Sequence, residues 1–372
     1  MKFSVSSTEL LKQLQIASGA IGSNPVLPIL EDFLFRIENK KLTIAATDLE
    51  TSIATSIEVL ADDDFSVAIP AKILLDTLKA LPQQPITVTV QPDNWGIEIT
   101  SSYGKYKLAG ENGGDFPNIP EPDAVDIVKI NSQFLLEAIN KTVFATSSDE
   151  LRPAMTGVYF QVDMNKMICV ATDAHKLVKY STHQLAGEVS TSFIIPKKAL
   201  NLLKNALPAN DGVTISFNKA NAFFTFGTMN LVCRLIDARY PDYNAVIPVD
   251  NPNSMTLSRS DFQNSLKRIA IYANKTTNQV VLDVNDKSLT VSAQDLDFSN
   301  EATEQLTCNF EGSPMKIAFN ARFLAEMLGV LDSEEVQMEF STPSRAGILT
   351  PVEESNADRE ILMLVMPVML NN

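Results

Sequence analysis

The chain holds two histidines, His175 and His183, and three cysteines, Cys169, Cys233 and Cys308. Thr172-Asp173-Ala174-His175 sets an acid beside an imidazole, the pairing that a nucleophilic triad uses. The same Thr-Asp pair stands at Thr47-Asp48 without a histidine. It therefore reads as a turn held by side-chain to backbone hydrogen bonds after a strand. Asp62-Asp63-Asp64 lines up three carboxylates, but between two strands it reads as a solvated turn rather than a metal site. The cysteines are far apart and form no CxxC pair, which argues against a zinc ribbon and a disulfide framework. No Walker loop, GxGxxG, GxSxG or HExxH motif is present. No metal, cofactor or catalytic residue is expected, and the chain reads as a non-enzyme.

Positive charge is the next candidate for chemistry. The 372 residues carry 30 Lys and Arg against 45 Asp and Glu, a net charge of −15. That sum argues against a conventional nucleic-acid binder. The charge is uneven, however: −8 over residues 1–125, +1 over 126–250 and −8 over 251–372. Lys72, Lys198 and Arg322 occupy one slot in three similar segments, and Lys12, Lys141 and Lys197 add to the same class of helix. A basic helical surface on an acidic body suits phosphate contacts that carry no sequence information.

These residues sit in an internal repeat. LTIAATDLE, MICVATDAH and LTVSAQDLD place Asp48, Asp173 and Asp295 at intervals of 125 and 122 residues. Pro70, Pro196 and Asn320 follow at 126 and 124, and Pro117, Pro241 and Pro367 at 124 and 126. The chain is three copies of one unit, expected at 1–125, 126–250 and 251–372. Each copy is long enough to bury its own core. Within each, two helices alternate with antiparallel strands: first helices at 8–21, 132–145 and 260–273, second helices at 71–81, 197–207 and 321–331. Caps are expected at Ser7, Asn131 and Arg259 or Ser260. The fold class is α+β. No apolar run reaches the roughly 18 residues of a membrane span, and no signal-peptide core opens the chain. The reading is a reduced, cytoplasmic protein. ILMLVMPVML (361–370) ends it, with Pro367 closing a buried strand and an apolar tail beyond.

MKF at the start, NPVLPIL (24–30), TDLE (47–50), ATDAHKL (171–177), RYPDYNAVIP (239–248) and the terminal VMPVML resemble, in order and over the whole length, the bacterial β sliding clamps, processivity subunits of DNA polymerase III. The resemblance implies a DNA clamp fold: three clamp domains per chain, and a ring-shaped head-to-tail homodimer with helices lining the pore. Such a ring encircles duplex DNA without reading its sequence. It is placed by a clamp loader, and it tethers polymerases and repair proteins through short linear motifs. The alternative is a DNA-independent peptide-binding scaffold. DNA contacts are expected from Lys198 first, then Lys72, Arg322, Lys12, Lys141 and Lys197, with Asn24 and Arg152 in loops that the family places near the duplex.

The resemblance also implies a partner-peptide pocket of Met155, Thr172, His175, Leu177, Pro241, Val246, Leu364, Val365, Met366 and Pro367. Ala174 stands where the family usually has Gly, Lys176 where Arg is common, and Ala245 where a basic residue is frequent. Met369 replaces a usual Arg, and Asn371-Asn372 extend the tail. The dimer joint is expected between Lys105, Tyr106, Lys107 and Leu108 of one copy and Ile271, Tyr272, Glu301 and Glu304 of the other. There a basic edge strand meets acids and two apolar residues.

Overall fold

The computed structural model describes residues 1–122, 126–187, 189–352 and 358–370. Six α-helices lie on antiparallel sheets: α1 Ser7–Ala17, α2 Ala71–Ala80, α3 Ser132–Thr142, α4 Lys197–Ala206, α5 Arg259–Ile269 and α6 Ala321–Gly329. Their positions follow from apolar spacing. Leu10, Leu14 and Ala17 recur on one face of α1, and all three are fully buried. Each buried leucine removes enough apolar surface to contribute roughly 1.5–3 kcal/mol.

The caps are only partly as expected. Asn131 does cap α3, its Oδ1 accepting from Gln133 N at 2.9 Å. Ser7 instead lies inside α1, buried, and donates its hydroxyl to Pro82 O. Ser258, rather than Arg259 or Ser260, caps α5 by accepting from Asp261 N. Asn320 caps α6, accepting from Arg322 N at 3.0 Å. The sequence boundary near 125 falls on residues 123–125, outside the described residues.

The chain divides into two compact units, Met1–Leu136 with Lys198–Leu235, and Glu137–Lys197 with Ile236–Asn372. In the first, α1 packs on α2. One sheet runs Leu60–Ala61, Lys2–Ser6, Pro85–Val90, Gly96–Thr100, Lys105–Ala109. A larger sheet contains Asp32–Glu38, Lys41–Thr47 and Thr51–Glu58, then continues through Met229–Arg234, Asn221–Phe226 and Gly212–Phe217. Its internal joint pairs Thr51–Glu58 with Met229–Arg234, placing Ser52 opposite Val232 and Ile53 opposite Leu231. In the second unit, α5 packs on α6. There a sheet runs Gly157–Asp163, Lys166–Thr172, Lys176–Thr182 and on into Arg359–Val365. At that joint Leu177 faces Leu364. A four-stranded sheet, Asn300–Thr307, Ser288–Asp295, Gln279–Asn285, Met315–Asn320, completes the unit.

The repeated Thr-Asp pair is the turn that its repetition implies. Asp48 Oδ1 accepts from the backbone N–H of Glu50 and Thr51, and Asp173 Oδ1 from His175 and Lys176. Asp295 Oδ1 accepts from Asp297. Thr47 and Thr172 hydroxyls accept from Leu49 and Ala174, which hold φ of 77° and 75°. Non-glycine residues there carry about 1–2 kcal/mol of strain, so this turn is held by its side chains against backbone preference.

Asp32 opens strand Asp32–Glu38 almost fully buried. Burial, reinforced by Glu111 and Glu31, raises its carboxyl to about 6. The folded chain therefore holds this proton more tightly than the unfolded chain. The resulting stability is fully present below pH 4 and is lost as pH rises through about 6. Asp32→Asn should stabilise the protein at pH 7.5 by about 2 kcal/mol, with a gain that shrinks toward pH 4.5, as read by urea unfolding at both pH values.

Candidate functional site

The residues expected to contact DNA differ in how free they are. Lys12, Lys72, Lys197 and Arg322 project from helices, exposed and without an ion pair among the described residues. Asn24 and Arg152 are exposed in loops, and Arg152 is tied to Asp149 at 2.8 Å. Lys198 is not free: its Nζ lies 2.5 Å from Asp48 Oδ2 and 3.2 Å from Ala20 O. The Thr-Asp turn of the first repeat thus binds the basic slot of the second. Lys141 departs from the expectation altogether. It is 7% exposed, and its ammonium is taken up by Asp332 at 2.6 Å and Val330 O. A desolvated ammonium that already gives two of its three protons to acceptors would meet a phosphate at the expense of those bonds, so Lys141 ties α3 to the segment after α6.

Two sheet edges stand out. Among the described residues Lys105–Ala109 has a strand partner on one side only, Gly96–Thr100, and Asn300–Thr307 has only Ser288–Asp295. On the first edge Lys105 and Lys107 share one carboxylate, Glu98, at 2.8 and 3.9 Å. The Lys105 hydrogen bond holds Glu98 below the usual carboxylate range. Two cations on one anion leave that edge positive. Tyr106 and Leu108 are half-buried on the other face of the strand. On the second edge Glu304 is spent in a bidentate pair with Arg268, at 2.7 and 2.6 Å, which lowers its pKa. Asp295 is buried in its turn. Glu301 remains exposed, without an ion pair among the described residues. Ile271 and Tyr272, after α5, are exposed at 65% and 43%. Leu296 and Phe298, in the next turn, are also exposed and were missed from the sequence; an apolar pair inside the acidic run QDLDFSNE was the signal.

Two of the predicted pocket residues, Leu177 and Leu364, belong to one buried apolar cluster. Val170, Ile194, Tyr240, Tyr243 and Ala346 are its other buried members. Tyr159 stacks on Tyr240 with ring centroids 4.6 Å apart, and Tyr243 donates its hydroxyl to Gln161 Oε1 at 2.5 Å. Leu177, Leu364 and Val365 are a buried floor. Thr172 is held in place by donating its hydroxyl to Lys176 O. Val246 and Met366 are exposed at 55% and 41%, Pro241 and His175 are exposed, and Met155 and Pro367 are half-buried. Lys176 does not reach the rim. It is buried, bonded to Asp173 at 2.8 Å and Glu326 at 3.3 Å, with its ammonium 4.3 Å from the Phe323 ring centroid. Phe323 and Glu326 carry no linear signal for this role.

The apolar tail is more ordered than its composition suggests. The final strand ends at Val365, but Met366 N donates to His175 O and Val368 N to Ala318 O, both at 2.8 Å. Backbone pairing on either side of Pro367 anchors the segment that apolar composition alone would leave as a frayed terminus. Asn371 and Asn372 lie outside the described residues.

Among the described residues no group of His, Cys, Asp and Glu could hold a metal, and no helix is long and apolar enough to cross a membrane. Three family models cover successive parts of the chain: the N-terminal domain of the DNA polymerase III beta subunit over residues 1–120, the central domain over 129–242 and the C-terminal domain over 244–367. The chain is 28% identical to the beta sliding clamp of Synechococcus elongatus and 27% identical to that of Vibrio cholerae, each match covering all of both chains. Its fold matches the DNA polymerase III beta subunit of Thermotoga maritima with a TM-score of 0.91 at 25% identity. It matches the griselimycin-bound sliding clamp of Pseudomonas aeruginosa with 0.93 at 25%, again over the full length of both chains. The chain belongs to the DNA polymerase III beta subunit family, the sliding clamps that confer processivity on the polymerase and are not themselves catalytic.

Proposed function

We propose that two copies of the chain close head to tail into a ring around duplex DNA, with the repeats 1–125, 126–250 and 251–372 as its domains. One observation carries this: a strand pairing made twice within the chain has a third pair of members, each with one edge unpaired among the described residues. Ser52, Leu177 and Glu301 hold equivalent places, since each faces the residue just before the turn aspartate, namely Thr47, Thr172 and Gln294. Likewise Leu231 and Tyr106 are equivalent, facing Phe224 and Ile99 of matching hairpins. The first joint sets Ser52 against Val232. Its third counterpart sets Glu301 against the partner's Lys107, Ala302 against its Tyr106 and Thr303 against its Lys105. Opposite charges then face each other, and two exposed edges acquire hydrogen-bond partners. A heterologous contact that closes after two copies makes a ring.

Lys72, Lys197, Arg322 and Lys12 would touch phosphate, joined by Asn24, Arg152 and, on exchanging Asp48 for phosphate, Lys198. An ATP-driven clamp loader would open and place the ring in the cytoplasm. There the buried thiols would stay reduced; burial pushes that of Cys233 up to about 12. The Pseudomonas clamp was solved with griselimycin bound. By analogy the cluster rimmed by Val246, Pro241 and Met366 would take short linear motifs of polymerases and repair proteins, with Leu177 and Leu364 as floor.

Lys107→Glu or Glu301→Lys alone should weaken the dimer. A two-chain ring has two identical joints, so a cost of about 1 kcal/mol per joint doubles, giving roughly a thirtyfold loss. Combining both reversals should restore the dimer, as followed by sedimentation equilibrium; a double variant no tighter than the singles would sink the register. Changing Lys72, Lys197 and Arg322 to Gln should flatten the salt dependence of DNA affinity by about 2–3 in slope. Lys141→Ala should leave that slope intact while lowering stability by about 1–3 kcal/mol. Deleting Val368 to Asn372 removes one backbone bridge and one wall, so fold and dimer should survive. Fluorescence anisotropy should then show at least tenfold weaker binding of a polymerase-derived peptide, and unchanged affinity would place the peptide elsewhere.

A further inference from the structure

The first unit contains a groove of about 410 Å³ at the joint of strands Thr51–Glu58 and Met229–Arg234. Leu34, Ala45, Ala54, Phe223 and Val232 form its floor and walls, and the segment Pro117–Pro122 forms one lip. It exists because small residues stand where the next repeat has large ones. By strand register Leu34, Ala45, Ala54 and Ala68 correspond to Tyr159, Val170, Lys179 and Ile194. Counting from Pro117 and Pro241, Ile119 corresponds to Tyr243. In the second repeat the corresponding place holds three aromatic rings, Tyr159 stacked on Tyr240 with Tyr243 edge-on. In the first repeat Phe116 is buried with Leu34, Ala45 and Ala68, Ile119 packs against them, and a groove is left beside this smaller cluster.

The polar group at the same place changes sense. Gln161 accepts the Tyr243 hydroxyl, whereas its counterpart Arg36 lines the groove with Ile119, which has no hydroxyl to offer. Arg36 lines the groove, exposed, with no carboxylate paired to it among the described residues. An apolar trough with one unpaired guanidinium has a definite complement: an apolar side chain next to a carboxylate, which the fork of Arg binds bidentately. The groove's own anion, Glu121, sits on the proline-flanked lip and would repel a carboxylate there, so the peptide has a preferred direction.

We infer that this groove is a second docking site, for a short linear peptide carrying an acidic residue beside an apolar anchor, with Arg36 as the specificity residue. The inference stands apart from the ring and from the pocket around Leu177, since it uses neither. The test uses the full chain with methyl-labelled Ile, Leu and Val and a defined probe, the peptide Ser-Leu-Asp-Leu-Pro-Ser-Gly, alongside the same peptide with lysine in place of aspartate. Methyl shifts are expected at Leu34, Ile119, Leu231 and Val232 with the aspartate peptide. Arg36→Glu should lower its affinity at least tenfold and raise that of the lysine peptide. Ile119→Tyr, which copies the filling of the second repeat, should abolish binding with the rest of the methyl spectrum retained. Shifts confined to Leu177 and Leu364 would overturn the proposal. So would shifts that appear only as self-association with rising protein concentration, or equal binding of both peptides in the native chain and in Arg36→Glu.

Discussion

A β-sheet edge is a row of backbone donors and acceptors without partners, and this fold repeatedly resolves that condition by joining sheets end to end. Strand Thr51–Glu58 is completed by Met229–Arg234, and Lys176–Thr182 by Arg359–Val365. Each joint extends a hydrogen-bonded ladder from one sequence repeat into the next and buries side chains on both faces. The core therefore crosses repeat boundaries, which is why the compact units do not coincide with the three copies read in the sequence. Two strands that end their sheets, Lys105–Ala109 and Asn300–Thr307, carry opposite residual charge. Lysines on such an edge also keep stray strands away, so the same residues suit both protection and selective pairing.

The acidic turn between the hairpin strands links this architecture to the basic surface. Its aspartate closes the turn with one oxygen and leaves the other for a cation: Lys198 in the first repeat, Lys176 in the second. Positive charge near the joints is thus partly neutralised by the fold itself. What remains unpaired on the helices is modest. On the proposed ring, which topology would hold on DNA, weak phosphate attraction would suffice, while tight binding would impede sliding.

The periodic features were legible in the sequence. Six helices appear where the apolar stripes predict them, within a few residues, because Leu10, Leu14 and Ala17 or Leu135 and Ile139 leave one way to bury a face. The Thr-Asp turn was legible because it recurs without its histidine. What escaped were pairings within the fold between residues distant in the chain. Lys141 and Lys198 look alike as exposed helix lysines, yet Asp332 and Asp48 lie 191 and 150 residues away from them. Ser7 looked like a cap until Pro82 supplied an acceptor inside the fold. The open groove at Arg36 is equally invisible in one repeat alone; it emerges only when strand register sets Ile119 against Tyr243.

The central claim is that the two leftover edges are the halves of one missing joint. Amide hydrogen exchange resolved to strands Lys105–Ala109 and Asn300–Thr307, measured across a dilution series, tests it most directly. The account predicts that both strands are protected at high concentration and lose protection together, at one concentration, while Met229–Arg234 and Arg359–Val365 stay protected throughout. Fast exchange of both edge strands in a protein that sediments as a dimer would contradict it.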